Sequence, residues 1–233
     1  MADLLSRTAA SAAVENSAWR YLLATLVTAV PVDSAKQALL VAQAAVTACG
    51  TDADAHLRVD LRPTRVELSL QTEALGGITA TDVELSRRVG AAVAGLGLIP
   101  SGVTTRDGRR SVQMLEIAVD ALDIPAIRPF WKAVMGYADE PGRGGPTDAV
   151  VDPDWQGPAI WFQQMDRPRP QRNRVHLDLT VPHEEAEARV RAALEAGGVL
   201  VSDTAARAFW VLADPEGNEV CVCTWQDRDE LAD

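Results

Sequence analysis

Of the three histidines in this 233-residue chain, His176 stands in the most telling pattern. In RVHLDLTV, Val175, Leu177, Leu179 and Val181 alternate with His176, Asp178 and Thr180, so a strand here turns its apolar side to a core and His176 to an open polar face. An imidazole titrates near neutral pH, which suits ligand binding or proton transfer; the plainer role is a structural histidine bonded beside Asp178. The same alternation in MLEIAV groups Glu116 with Met114 and Ala118, where a carboxylate suits a cationic or amine-bearing ligand. Cys221 and Cys223, two residues apart, share a strand face with Glu219. A thiol nucleophile there needs a base, and His176 is the one candidate; a pair of small buried thiols needs nothing. Trp161 and Trp210 are the aromatics expected to wall a pocket for a flat ligand, while Trp131, Trp155, Phe162 and Phe209 fill a core. The basic run Arg167, Arg169, Arg172 and Arg174 reads as a solvated loop.

These residues need a framework to position them. After the His176 strand, a helix from residue 184 to 196 turns Ala186, Val190, Ala193 and Leu194 inward and stops at Gly197 and Gly198. ADPEGNEV, residues 213–220, is a hairpin turn in which Gly217 and Asn218 supply the tight geometry. Upstream, SVQMLEIAVD reads as a strand, ALDIPAIRPFWKAVMGY as a helix anchored by Phe130, Val134 and Met135, and GPAIWFQQM as a buried strand. The order strand, helix, strands therefore recurs, over residues 111 to about 166 and again over 173 to about 225.

Residues 99–110, IPSGVTTRDGRR, lose apolar periodicity and have the composition of a connector, which divides the chain into domains 1–108 and 109–233. In the first domain a helix is expected from about residue 17 to 29, ended by Pro31. Asp33 can cap a second helix through SAKQALLVAQAAVTAC, with Ala38, Ala42, Ala45 and Cys49 on one face and Gly50 as its stop. LRVDLRP and TRVELSLQT follow as an antiparallel pair, in which Val66, Leu68 and Leu70 alternate with Glu67, Ser69 and Gln71. After a turn at Gly76 and Gly77, Thr81 and Glu84 have capping-box spacing before a helix striped by Leu85, Val89, Ala92 and Leu96. The fold class expected is α+β in both domains.

A formal net charge of −11 repels phosphate backbones and anionic lipid, so nucleic acid and membrane are not expected partners. No apolar run approaches membrane-spanning length, and the N-terminus lacks a secretory pattern, so a soluble cytoplasmic protein is expected. Three cysteines without a CxxC pair support neither a disulfide framework nor a structural zinc site.

The unit formed by residues 174–198 and 209–223 resembles a βαβββ module of the vicinal oxygen chelate superfamily, the glyoxalase and bleomycin-resistance-like proteins. The resemblance implies paired modules, a sheet that holds a small molecule and, in many members, a metal. Its ligand positions fall near Met114 or Glu116, on Gln163, on His176 and on Cys221, and only His176 matches well. Methionine and a neutral amide are weak donors for divalent metals, so no metal is expected; zinc on Glu116, His176 and Cys221 requires the strands to converge.

Residues 54–89, and above all GGITATDVELSRRV, resemble pterin-4a-carbinolamine dehydratase, also called 4a-hydroxytetrahydrobiopterin dehydratase, over roughly residues 17–98. The family's His-His-Pro falls on Ala55, His56 and Leu57, and its third histidine on Glu73, so only His56 is retained. The resemblance implies a lyase in which His56 works with Glu73, or a fold whose chemistry has been lost or redirected; Asp82 is read as a polar residue at the helix start. The leading expectation is a small-molecule-binding protein whose C-terminal domain uses Glu116, Trp161, Gln163, His176, Trp210 and Cys221, with the dehydratase as alternative. Relatives of the N-terminal fold associate through helices and sheet edges, so a homo-oligomer is a further expectation.

Overall fold

A computed structural model describes residues 3–103, 110–168 and 175–228 of the chain, so Arg169, Arg172 and Arg174 of the basic run lie outside the described residues. The chain divides into two compact units, Met1–Met114 and Leu115–Asp233.

Unit 1 contains α1 (Arg7–Val14), β1 (Arg20–Leu22), β2 (Thr25–Pro31), α2 (Ala35–Cys49), α3 (Ala53–His56), β3 (Leu57–Arg62), β4 (Arg65–Leu70) and α4 (Ala80–Gly95). Its antiparallel sheet has the order β1-β2-β4-β3. The helix expected from residue 17 to 29 is instead the hairpin of β1 and β2. Thr25, Val27, Thr28 and Val30 are β-branched and every residue from Thr25 to Val30 is buried, so tertiary burial decides in favour of a central strand. The strands turn through Leu23 and Ala24, both at positive φ (43° and 60°). That geometry is one asparagine and glycine adopt readily, so these two residues carry no hairpin signal.

The pair β3 and β4 forms as its alternation indicates, with Val66, Leu68 and Leu70 buried. They meet Leu26 and Val30 of β2, Val41 and Ala45 of α2, and Leu85, Val89 and Val93 of α4 in one core. Each such aliphatic side chain contributes about 1.5–3 kcal/mol. Ser34, rather than Asp33, caps α2, accepting from Gln37 N at 3.2 Å, and Gly50 ends it at φ 64°. The capping box of α4 is Thr79 with Asp82, two residues before the expected pair.

Unit 2 repeats one topology twice. Strand β5 (Glu116–Ala121), helix α5 (Ile124–Met135) and strands β6 (Ala138–Asp139), β7 (Val150–Val151) and β8 (Ala159–Gln164) form the first module. Strand β9 (Asp178–Thr180), helix α6 (His183–Glu195) and strands β10 (Val199–Ser202), β11 (Phe209–Ala213) and β12 (Glu219–Cys223) form the second. The sheets run β5-β8-β7-β6 and β10-β11-β12-β9, and in each the module's first strand lies parallel to its last. Both halves of the chain are thus mixed α+β structures.

Phe130, Trp131 and Val134 of α5 join Ala186 and Ala193 of α6 and the inner faces of both sheets in a common core. A Cβ on Gly198 would run into the Phe130 ring, so the glycine after α6 permits this approach. The β11–β12 hairpin ties the modules together. Asp214, 2% exposed, accepts from Trp131 Nε1 at 2.9 Å and from Asn218 Nδ2 at 2.8 Å, while Glu216 accepts from Leu122 N and Asp123 N.

Candidate functional site

In unit 1 the site is built where α3, the end of β4 and the start of α4 meet. His56 is the last residue of α3, and its carbonyl accepts from Gln71 N at 2.9 Å, which fixes it beside the exit of β4. Asp82 sits three residues into α4, where capping requires a carboxylate facing the helix start. Its Oδ2 accepts from Thr79 N at 2.7 Å, Thr79 Oγ1 at 3.0 Å and Thr72 Oγ1 at 2.7 Å, leaving Oδ1 to face His56 Nδ1 at 2.7 Å. The side chain of Asp82 is 0% exposed and that of His56 is 12% exposed.

A carboxylate at that distance makes Nδ1 the protonated nitrogen and gives Nε2 the lone pair. Nε2 has no hydrogen bond to a described residue and is open to solvent. Asp82 thus does two jobs with one carboxylate: it caps α4 and orients an imidazole. The sequence carries the signal for it, since Thr79 and Asp82 have capping spacing, but nothing in the letters says that His56 folds onto the spare oxygen.

Glu73 lies exposed on the 3-10 turn Glu73–Leu75, which packs against α3. It bears on Arg58, whose guanidinium burial holds below its ordinary value while the charge of Glu73 acts the other way. Arg58 donates to Gln71 Oε1 at 3.3 Å. A positive group, a carboxylate and a lone-pair imidazole therefore stand around one end of the sheet.

In unit 2, β5 and β8 pair so that Glu116 lies opposite Ala159, Ala118 opposite Trp161 and Asp120 opposite Gln163. Ile117, Val119, Ile160 and Phe162 point into the core, so Glu116, Trp161 and Gln163 share the outer face, with Trp161 37% exposed. Glu140, which follows β6, also comes near Glu116 and is pushed up from the ordinary carboxylate value by burial, against the opposing charge of Arg143. The sequence offers no periodic signal for Glu140, because β6 is two residues long.

Cys221 belongs to the other sheet, and the strand expected around His176 is shorter, beginning only at Asp178. His176 precedes β9 and is exposed; Cys221 pairs with Asp178 across the parallel ladder and is buried. Burial first, then the hydrogen bond to Asp178, pushes the Cys221 thiol up to about 12. Cys223 is also raised, chiefly by burial. Both are therefore thiols rather than thiolates at neutral pH, poor nucleophiles and poor metal donors. Trp210 departs from its expected place: it pairs with Val222 and packs with Leu212 against the helices, on the opposite side of the sheet from Cys221.

Among the described residues no three of His, Cys, Asp and Glu come together closely enough to hold a metal ion. Glu116, His176 and Cys221 are thus not a chelating set, and with a protonated thiol at Cys221 and a neutral amide at Gln163 the donors do not fit a divalent metal. Among the described residues no helix is long and apolar enough to cross a membrane.

Comparison with known proteins gives two matches. The family model for pterin 4 alpha carbinolamine dehydratase covers residues 3–92, and that for a glyoxalase-like domain covers residues 116–223. Among solved structures, the transcriptional coactivator/pterin dehydratase of Brucella melitensis is 21% identical over 39% of this chain and 98% of its own, with a TM-score of 0.34. A glyoxalase/bleomycin resistance protein of Albidiferax ferrireducens is 19% identical over 47% of this chain and 95% of its own, at a TM-score of 0.37. The fosfomycin resistance protein FosX of Mesorhizobium loti is 9% identical over 51% and 98%, at 0.38. No curated protein matches. The N-terminal half resembles the pterin dehydratases and the C-terminal half the glyoxalase-like proteins.

Proposed function

We propose that this protein acts on small organic molecules, with its chemistry at His56 in unit 1: dehydration of a 4a-hydroxytetrahydropterin-type carbinolamine by a lyase mechanism. The observation that carries the reading is the 2.7 Å contact between buried Asp82 and His56, which leaves Nε2 as a base open to solvent. In such a carbinolamine the N–H and the departing hydroxyl are on neighbouring atoms. His56 takes the proton from nitrogen, the nitrogen lone pair forms the C=N bond, and the imidazolium returns the proton to the hydroxyl as water leaves. One imidazole suffices for this relay, which answers the loss of the family's other two histidines. Glu73, exposed beside Arg58, serves to bind rather than to donate the proton.

The test is stopped-flow absorbance with a freshly generated 4a-hydroxytetrahydropterin. The full chain accelerates dehydration, His56→Ala loses about a hundredfold or more, and Asp82→Asn lowers kcat more than it raises KM. Undiminished turnover by His56→Ala sinks the reading.

A second binding function in unit 2 is favoured by Trp161, whose ring stays 37% exposed beside Glu116 and Gln163 on the outer sheet face. An aromatic platform with a carboxylate and an amide suits a flat ligand carrying an amine. Native mass spectrometry of freshly purified protein should detect a retained small molecule that Trp161→Ala and Glu116→Ala release. Retention unaffected by both substitutions rules this face out.

A further inference from the structure

At the end of β4 remote from His56, unit 1 holds a cavity of about 520 Å³. Arg65 and Leu70 mark the two ends of that strand, so the cavity and His56 are separated by about 17 Å of extended backbone. The described chain path builds its rim. After α4 the backbone returns to β2 beyond the point where short β1 stops covering it, and Ala29 and Ser101 exchange backbone hydrogen bonds at 3.3 and 2.8 Å. On the way back Val112 donates to Gly102 O at 3.3 Å and buries against Val27 and Ala29, while Arg65 Nη1 donates to Arg110 O at 3.4 Å. These attachments fix Ser101 and Val112 beside β2 and the Arg110 backbone beside Arg65, at the rim of the cavity.

Pro31, Val32 and Val103 give the space an apolar body, and Asp33, Arg65 and Arg110 give it charge. Val103 is 47% exposed although it lines the cavity, so there is apolar surface for a ligand to cover. Arg65 is already committed to Glu67, whose carboxylate neutralises it. Arg110 is exposed and its guanidinium has no partner among the described residues, while Asp33 stands on the same lining with its backbone N–H taken by Gln37. A cavity of this volume, with apolar walls and a few convergent polar groups, has the size and make-up of small-molecule sites.

We propose that this cavity binds a small organic anion: a carboxylate or sulfonate on a ring-containing apolar body that also carries an N–H or O–H donor. The anionic head pairs with Arg110, the donor meets Asp33, and the rings lie against Pro31, Val32 and Val103. This site is separate from His56 and goes beyond the chemistry assigned there.

The probe is 8-anilinonaphthalene-1-sulfonate, which has the sulfonate, the rings and an N–H, followed by fluorescence titration of the full chain. One saturable site is expected, weakened about tenfold or more by Arg110→Glu, because a charge-assisted pair is lost and a repulsion gained. Val103→Trp fills the cavity and removes binding. Uncharged N-phenyl-1-naphthylamine should bind equally to the full chain and to Arg110→Glu, and fail with Val103→Trp. Both substituted residues are exposed, and far-UV circular dichroism verifies that the variants remain folded. Absence of a saturable site, indifference of the sulfonate to both variants, or an equal loss of the uncharged dye in Arg110→Glu would overturn the proposal.

Discussion

The thiol of Cys221 shows how much burial, aided by one hydrogen bond, alters chemistry. Pushed up to about 12 by burial and by Asp178, it is protonated throughout the physiological range. All three cysteines are free and buried, so the folded protein at pH 8 should consume no thiol reagent quickly, and three equivalents once denatured. A fast-reacting equivalent in the native state would contradict this environment. Asp139 gives the opposite electrostatic case. Hydrogen bonds from Lys132 and Arg128 hold its carboxyl below the ordinary value of 3.8, so in acid the native state binds fewer protons than the unfolded chain. Its contribution to stability is therefore present above about pH 4 and fades as pH falls through the lower native value. Urea denaturation should show Asp139→Asn less stable than the parent near neutrality, with the gap closing towards pH 3. A gap that stays constant with pH refutes the assignment.

Among the elements, two turns invite substitution. Ala24 holds φ 60° without being glycine, so Ala24→Gly should stabilise unit 1 by roughly 0.5–1 kcal/mol, read as a higher thermal midpoint. Asp214→Ala should do the reverse: it strands the buried Trp131 indole N–H and loosens the hairpin joining the two modules, at about 2–3 kcal/mol by chemical denaturation. The same turns mark what the letters disclose. The β11–β12 hairpin was legible because Gly217, at φ 89°, sits where the geometry demands it. The β1–β2 hairpin was not, because Leu23 and Ala24 are forced into their conformation by burial of the strands around them. Alternation located β4 and the face of Glu116, since those strands have one wet side. It could not locate Trp210, an aromatic in a strand whose flanks are both half-buried. Nor could it pair His56 with Asp82, which are 26 residues apart and meet only through tertiary packing.

For the molecule as a whole, the net charge of −11 sets the terms of self-association. If the chain assembles with itself, the copies approach against mutual repulsion that salt screens, with the Debye length falling from about 30 Å at 0.01 M to about 8 Å at 0.15 M. Light scattering should then show mass rising with ionic strength at fixed protein concentration. A mass of one chain at every salt concentration would remove self-assembly from consideration.

The parallel pairing of the first and last strands in each module of unit 2 also bears on synthesis at the ribosome. Glu116 finds its ladder partner Ala159 only after roughly forty further residues have been made. At about 5–20 residues per second, the nascent β5 waits for seconds with its hydrogen-bonding edge bare. Unit 1, whose β3 and β4 are joined by a tight turn, has no such delay in that pair. Co-translational chaperone capture should accordingly concentrate on nascent chains stalled between the two partner strands.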